Sequence, residues 1–234
     1  VVQQDALVRW PLTKARSRTV NKSRLALLAL PAIGVLAVAS PALGSGSAAN
    51  WQMNEQSGVM KDSSGNGNNS SMMSGVTRNG STYHFAGSGR VVVPSSASLI
   101  PGSRNFTLTA RIHLTKIGGG ENFVQKNTYS QNDTQIKLEI SGKHLHCRVA
   151  GNSAVASVWG WGAGTTLLNG FHTISCVKTA SSVTLKLDNR SWTQNVAVGT
   201  ITTKAPMTVG GKYPCKSDCD YTFGDIDWVT YTYQ

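Results

Sequence analysis

A period of two runs through the chain from Asn50 onward. In Phe106–Leu114 (FTLTARIHL), apolar side chains fall at Phe106, Leu108, Ala110, Ile112 and Leu114, with Thr, Arg and His between them. In Ser182-Val-Thr-Leu-Lys-Leu-Asp188, Val183, Leu185 and Leu187 alternate with Thr184 and Lys186. Successive side chains of a strand point to opposite faces, so each run offers one face to a core and the other to water. Comparable β-rich runs occupy residues 82–85, 90–93, 122–126, 135–140, 144–149, 172–177, 192–198, 207–209 and 223–233. Turn signals such as Ser64-Gly-Asn-Gly67, Asn79-Gly80, Ser141-Gly142 and Asp188-Asn189 separate them. Many short strands without helical periods between them predict an all-β fold, a two-sheet antiparallel sandwich or jelly roll. No long Gly/Ser- or Pro-rich linker divides residues 50–234, which read as one domain. At about 25 cal/mol per Å² of buried apolar area, a core fed by so many strand faces needs no cofactor to hold it.

The first 49 residues have a different pattern. Arg16, Arg18, Lys22 and Arg24 precede the apolar run from Leu25 to Ala39, and small residues follow up to Ala49. This order of basic, apolar and small-residue regions predicts a secretory signal peptide, with cleavage after Ala39, Gly44 or Ala49. The apolar run is short for a membrane span and is interrupted by Pro31 and Gly34, so no span is expected in the mature protein. With no Met before Met53, Val20 is the expected start of translation. Export then predicts an extracellular protein.

Composition agrees with this division. Of 234 residues, 40% are hydrophobic and only 14% charged, which excludes a disordered chain. The net charge of +11 invites a nucleic-acid reading. However, the leader holds six basic residues and one acid, which leaves sixteen basic and ten acidic residues, or +6, for residues 50–234. Those bases are scattered singly, without a basic patch, so no nucleic-acid partner is expected, and the charge leaves room only for weak attraction to an anionic extracellular polymer.

All four cysteines, Cys147, Cys176, Cys215 and Cys219, lie in the exported part. An even count in an oxidising compartment predicts two disulfides, with three connectivities open. Cys215-Lys-Ser-Asp-Cys219 is a short loop that can close on itself, which leaves Cys147 to pair with Cys176. No His or Cys pair at zinc spacing accompanies them.

Five motifs occur in a fixed order: Trp51-x-Met-x-Glu-x-Ser-Gly58 with Asp62-Ser-Ser-Gly-Asn-Gly67; Phe106-Thr-Leu-Thr-Ala-Arg111; Gly170-Phe-His-Thr-Ile-Ser-Cys176; Pro206-Met-Thr-Val-Gly-Gly-Lys212; and Cys219-Asp-Tyr-Thr-Phe-Gly-Asp-Ile-Asp227. Together they resemble the bacterial laminin G-like domains of the concanavalin A-like lectin/glucanase superfamily, over about residues 50–234. The resemblance implies a jelly roll of two curved antiparallel sheets, secretion, and binding rather than catalysis. Cysteines in like positions in bacterial members support the pairing above. Phe171 stands where a tryptophan is usual before His-Thr, and an aromatic core role is expected to survive that change.

Enzymatic alternatives on this fold lack their residues. The glucanases of the superfamily carry Glu-x-Asp-x-x-Glu, and retaining chemistry wants its two carboxyls about 5 Å apart. Here Asp225 and Asp227 share a strand face with no glutamate beside them, and Glu139 is the only acid of its strand. The paired motifs of alginate lyases and a Gly-x-Ser-x-Gly elbow are also missing, and His172, Ser175 and Asp188 read as strand residues rather than a triad. A secreted non-catalytic binding module for carbohydrate (a glycan or extracellular polymer) or an extracellular surface is therefore expected, with a polysaccharide hydrolase or lyase and a structural adhesion unit as alternatives.

Two further chemistries remain. Calcium takes six to eight oxygen ligands, and the candidate donors are Asp62 in its Asn/Gly-rich loop and Asp225 with Asp227 near the last strand; the alternative is that Asp62 caps a turn. Sugar rings stack their C–H faces on aromatic side chains. Trp159-Gly-Trp161-Gly-Ala-Gly164, read as a flexible polar segment, supplies the first candidates, and Tyr213 and Tyr221 beside the C-x3-C loop the second. Trp192 and Trp228 are expected in the core or on a sheet face.

Overall fold

The computed structural model describes residues 46–128 and 133–234. Among them thirteen strands form: β1 Gly46–Trp51, β2 Met72–Arg78, β3 Tyr83–Val93, β4 Phe106–Leu114, β5 Gly120–Lys126, β6 Gln135–Ser141, β7 His144–Ala150, β8 Val155–Gly160, β9 His172–Lys178, β10 Ser182–Leu187, β11 Arg190–Asn195, β12 Met207–Val209 and β13 Phe223–Tyr233. Every pairing between them is antiparallel. No helix among the described residues is long and apolar enough to cross a membrane.

The strands form two layers that share β3. One layer runs β11-β10-β9-β4-β13, and the far edge of β13 is met first by Tyr83–Ala86 of β3 and then by β1. The other runs β12-β5-β6-β7-β8 and is joined through the Val91–Val93 end of β3. The bend in β3 between these halves requires glycine. Gly87 has φ of 82°, and a Cβ there would lie 1.8 Å from the Phe223 ring. β2 covers the remaining edge of β3.

The alternation read from sequence is what fills the space between the layers. Phe106, Leu108, Ala110, Ile112 and Leu114 of β4 are fully buried, and meet Ile136, Leu138 and Ile140 of β6 and Leu145, Cys147 and Val149 of β7 in one core. Cys147 on β7 and Cys176 on β9 are bonded across the two layers, and Cys215 is bonded to Cys219. An unexpected member of the interior is Lys126, whose register partner Ile136 faces the core. Its Nζ donates to Ser95 Oγ (3.1 Å) and to the Ala205 carbonyl (2.8 Å), and burial pushes its pKa down to about 8.

Three departures from the sequence reading follow. The predicted signal peptide lies outside the described residues except for Gly46–Ala49, which open β1. Ser47 and Ala49 pair with Thr232 and Tyr231, and Ala48 and Ala49 are buried, so the sheet begins four residues upstream of Asn50. The segment carrying Trp159 is strand β8 rather than a flexible loop. Phe171 does not enter the core. It is half-buried on the outer side, with its ring 5.6 Å from that of His113 and 4.7 Å beneath the Arg111 guanidinium.

Candidate functional site

β8 and β11 are the two terminal strands of the hydrogen-bonded order, and the fold brings them face to face. On β8, Ala156, Val158 and Gly160 point inward, while Val155, Ser157 and Trp159 point outward. On β11, Trp192 and Gln194 are paired with the core-facing Leu185 and Val183, so they project into the gap toward β8. There the Ser157 N–H donates to Gln194 Oε1 at 2.9 Å, which satisfies an open-edge group by a side chain instead of another strand.

Three tryptophans converge at this junction. The Trp159 ring lies flat on His146, with centroids 3.8 Å apart and planes 5° from parallel. Trp161, just beyond the strand end, stacks against Trp159 at 5.8 Å and meets the His144 ring edge-on at 4.4 Å. Gly162, at φ of 70°, turns the chain there, and its N–H donates to His144 Nδ1. The Trp192 ring covers Gly160, where a Cβ would come within 3.1 Å of it, so the glycine between the two tryptophans makes room for the third. Ser157, Val158, Trp159, Trp161, Trp192, Thr193 and Gln194 line an open groove of about 370 Å³, in which Trp161 is 70% exposed.

Beneath the platform runs a chain of ionic groups on the side of the layer opposite the core. Asn122, Glu139, His146 and Trp159 are in register across β5, β6, β7 and β8. His146 Nδ1 contacts Glu139 Oε1 at 2.8 Å, and Glu139 is paired with Lys137. Lys137 Nζ lies 3.4 Å from Asp220 Oδ2, which also receives Lys212 at 2.6 Å. Lys137, Glu139, His146 and Asp220 are all largely buried, so a side chain removed from this chain would leave its neighbour short of a partner.

The other predicted site residues sit elsewhere. Tyr213 and Tyr221 flank the Arg90 guanidinium at 5.6 and 5.7 Å, and neither lines the tryptophan groove. Cys215 borders a separate depression of about 460 Å³ with Thr128, Lys212, Pro214, Lys216, Ser217 and Asp218. Asp62 uses both carboxylate oxygens: Oδ1 accepts from the N–H groups of Asn50 and Ser64, and Oδ2 from the Ser64 hydroxyl and the Asn68 N–H. Burial raises its pKa, but these donors together outweigh it and hold the carboxyl below its ordinary value of 3.8. Asp225 contacts His84 Nδ1 at 2.9 Å and His113 Nδ1 at 3.9 Å, and Asp227 pairs with Arg111. Among the described residues, no group of three or more His, Cys, Asp or Glu side chains is placed to hold a metal ion. Calcium at Asp62 would have to displace four donors.

The imagined triad is not assembled. His172 Nδ1 meets Asp188 Oδ2 at 2.7 Å, but the Ser175 hydroxyl is paired with Thr109 at 3.0 Å. Trp228 occupies a sheet face opposite Arg111, as expected. The sequence reading missed His146 and Gln194; Trp192, expected in the core or on a sheet face, packs against the core and also lines the groove. The alternation of Val155 to Gly160 was the signal available in the sequence, a weak one because small residues fill two of its inward positions.

No family model matches the chain, and no characterised protein matches it in sequence. Solved structures do share its fold. The binding domain of Paraclostridial Mosquitocidal Protein 1 superposes with a TM-score of 0.62 at 15% identity, over 81% of this chain and 49% of that one. The receptor binding domain of botulinum neurotoxin C/D mosaic serotype gives 0.58 at 12% identity, over 80% and 47%. Mouse laminin α1 domains LG4–5 give 0.49 at 18% identity over 62% and 39%, a likeness too weak to argue from. This chain thus spans about half the length of the toxin domains it resembles. The fold is an antiparallel jelly-roll sandwich, and the two toxin domains that share it are binding domains.

Proposed function

We propose that this domain is an extracellular, non-catalytic carbohydrate-binding module whose ligand lies in the groove between β8 and β11. One observation carries the reading: three tryptophan rings and the polar side chains of Ser157, Thr193 and Gln194 line a single open groove. Aromatic rings offer flat apolar area to the C–H faces of a sugar, and hydroxyl and amide groups beside them hydrogen-bond its hydroxyls. Trp161 lies mainly in solvent, which fits a ring kept for a partner rather than for the core. Two disulfides support an exported protein, since such bonds persist in oxidising compartments. Catalysis is disfavoured by the engagement of Asp225 and Asp227 with His84 and Arg111 and by the diversion of Ser175.

The test is a screen of residues 46–234 on a glycan array and against soluble polysaccharides, alongside Trp161→Ala and Trp192→Ala. A bound glycan should lose about tenfold or more in affinity with either variant, the scale of a lost aromatic anchor. Unchanged binding in both would remove the groove from the reading, and release of reducing ends from a bound polymer would make the domain an enzyme.

A further inference from the structure

The positive charge of the chain points to acidic polymers, but the groove does not. We infer that the ligand of the tryptophan groove is an uncharged glycan, an inference that rests on the groove being a glycan site. None of the side chains lining it carries a charge. The ionisable groups nearest the groove have protein partners, among them Arg148, the register partner of Ser157, whose Nε donates to Gln135 Oε1 at 2.8 Å. Glu139 is shared by Lys137 and His146, and Lys137 by Glu139 and Asp220. His144 accepts the Gly162 N–H through Nδ1, and its ring abuts Trp161. The Arg190 guanidinium lies 5.4 Å over the Trp192 ring, donates to Thr166 Oγ1, and is not part of the lining.

A carboxylate or sulfate placed between the three rings would give up its water to apolar faces, and the nearest guanidiniums, Arg190 over Trp192 and Arg148 beside Ser157, already donate to Thr166 and Gln135. Burial of an unpaired charge is unfavourable, whereas a hydroxyl loses little when a hydroxyl or amide replaces its water. The Ser157 hydroxyl and the Gln194 amide N–H groups serve a neutral sugar, while Gln194 Oε1 accepts the Ser157 N–H, Thr193 Oγ1 is paired with Thr184 Oγ1 at 2.9 Å, and the rings take the apolar face. The exposed lysines Lys186 and Lys216 stand outside the groove, so they add long-range attraction without adding specificity.

The test compares binding of neutral polysaccharides (a β-glucan, a xylan and a galactomannan) with binding of a polyuronate and heparin, by calorimetry, at about 0.02 and 0.3 M salt. The wild type, Trp161→Ala and a Lys186→Ala/Lys216→Ala double variant are used, all with fold checked by circular dichroism. The expected result is binding of at least one neutral polymer that changes within about twofold with salt and with the lysine variant, and falls about tenfold or more in Trp161→Ala. Binding confined to the acidic polymers, weakened by salt yet still lost in Trp161→Ala, would overturn the neutral ligand and leave the groove as a glycan site. Acidic-polymer binding lost in the lysine variant and kept in Trp161→Ala would overturn both, as would binding to none of the polymers.

Discussion

Lys126 departs furthest from what its residue type predicts. A lysine is almost never fully buried without an anionic partner, yet this one is wholly buried and held by a hydroxyl and a carbonyl. Its pKa of about 8 lies below the ordinary 10.5, so between those values the unfolded chain binds the extra proton and stability must rise with pH. From pH 7.5 to 10 the wild type should gain about 2 kcal/mol from this residue alone. Thermal melts of wild type and Lys126→Met across that range check this, since the variant should show a smaller rise, the part left by the buried Lys178, whose pKa burial also lowers. At Asp62, by contrast, residue-level reading was close. An Asp followed by Ser-Ser-Gly-Asn-Gly signals a turn, and four donors converge on its carboxylate. What the sequence left open was whether those oxygens face N–H groups or a cation, because the donors come from Asn50 and Asn68 as well as from the turn itself.

At the scale of elements, β4, β10 and β13 were legible because their alternation is long and contrasted, while β1, β2 and β8 were not, because alanine, glycine and serine blur the period. The cost of missing β8 was Trp159, which reads as a loop residue but is set by its strand and by the ring of His146 on the neighbouring strand. A stacked aromatic pair contributes about 0.5–1.5 kcal/mol beyond area, so His146 is a positioning residue for the platform. His146→Ala should weaken glycan binding roughly 2- to 10-fold and alter the near-ultraviolet circular dichroism of the tryptophans, whereas His146→Phe, which keeps a flat ring under Trp159, should restore much of both. Equal loss in the two variants would mean that the Glu139 contact matters and the stacking does not.

For the whole molecule, the bond between Cys147 and Cys176 joins strands that are never neighbours in either layer. Closing a span of 29 residues contributes about 3 kcal/mol by restricting the unfolded chain. Replacing both cysteines by alanine should lower the melting temperature by roughly 6–12 °C, measured by calorimetry, while removal of the Cys215–Cys219 pair, which spans only four residues, should lower it less. The sequence by itself determined the all-β architecture, the presence of an even set of cysteines and the absence of the known catalytic motifs of this fold, because strand period, cysteine count and motif residues are local properties of the chain. Only the tertiary structure decided which tryptophans share a groove. Trp192 is 31 positions from Trp161, and the two meet because β8 and β11, at opposite ends of one strand order, are brought together when the layers close over a common core.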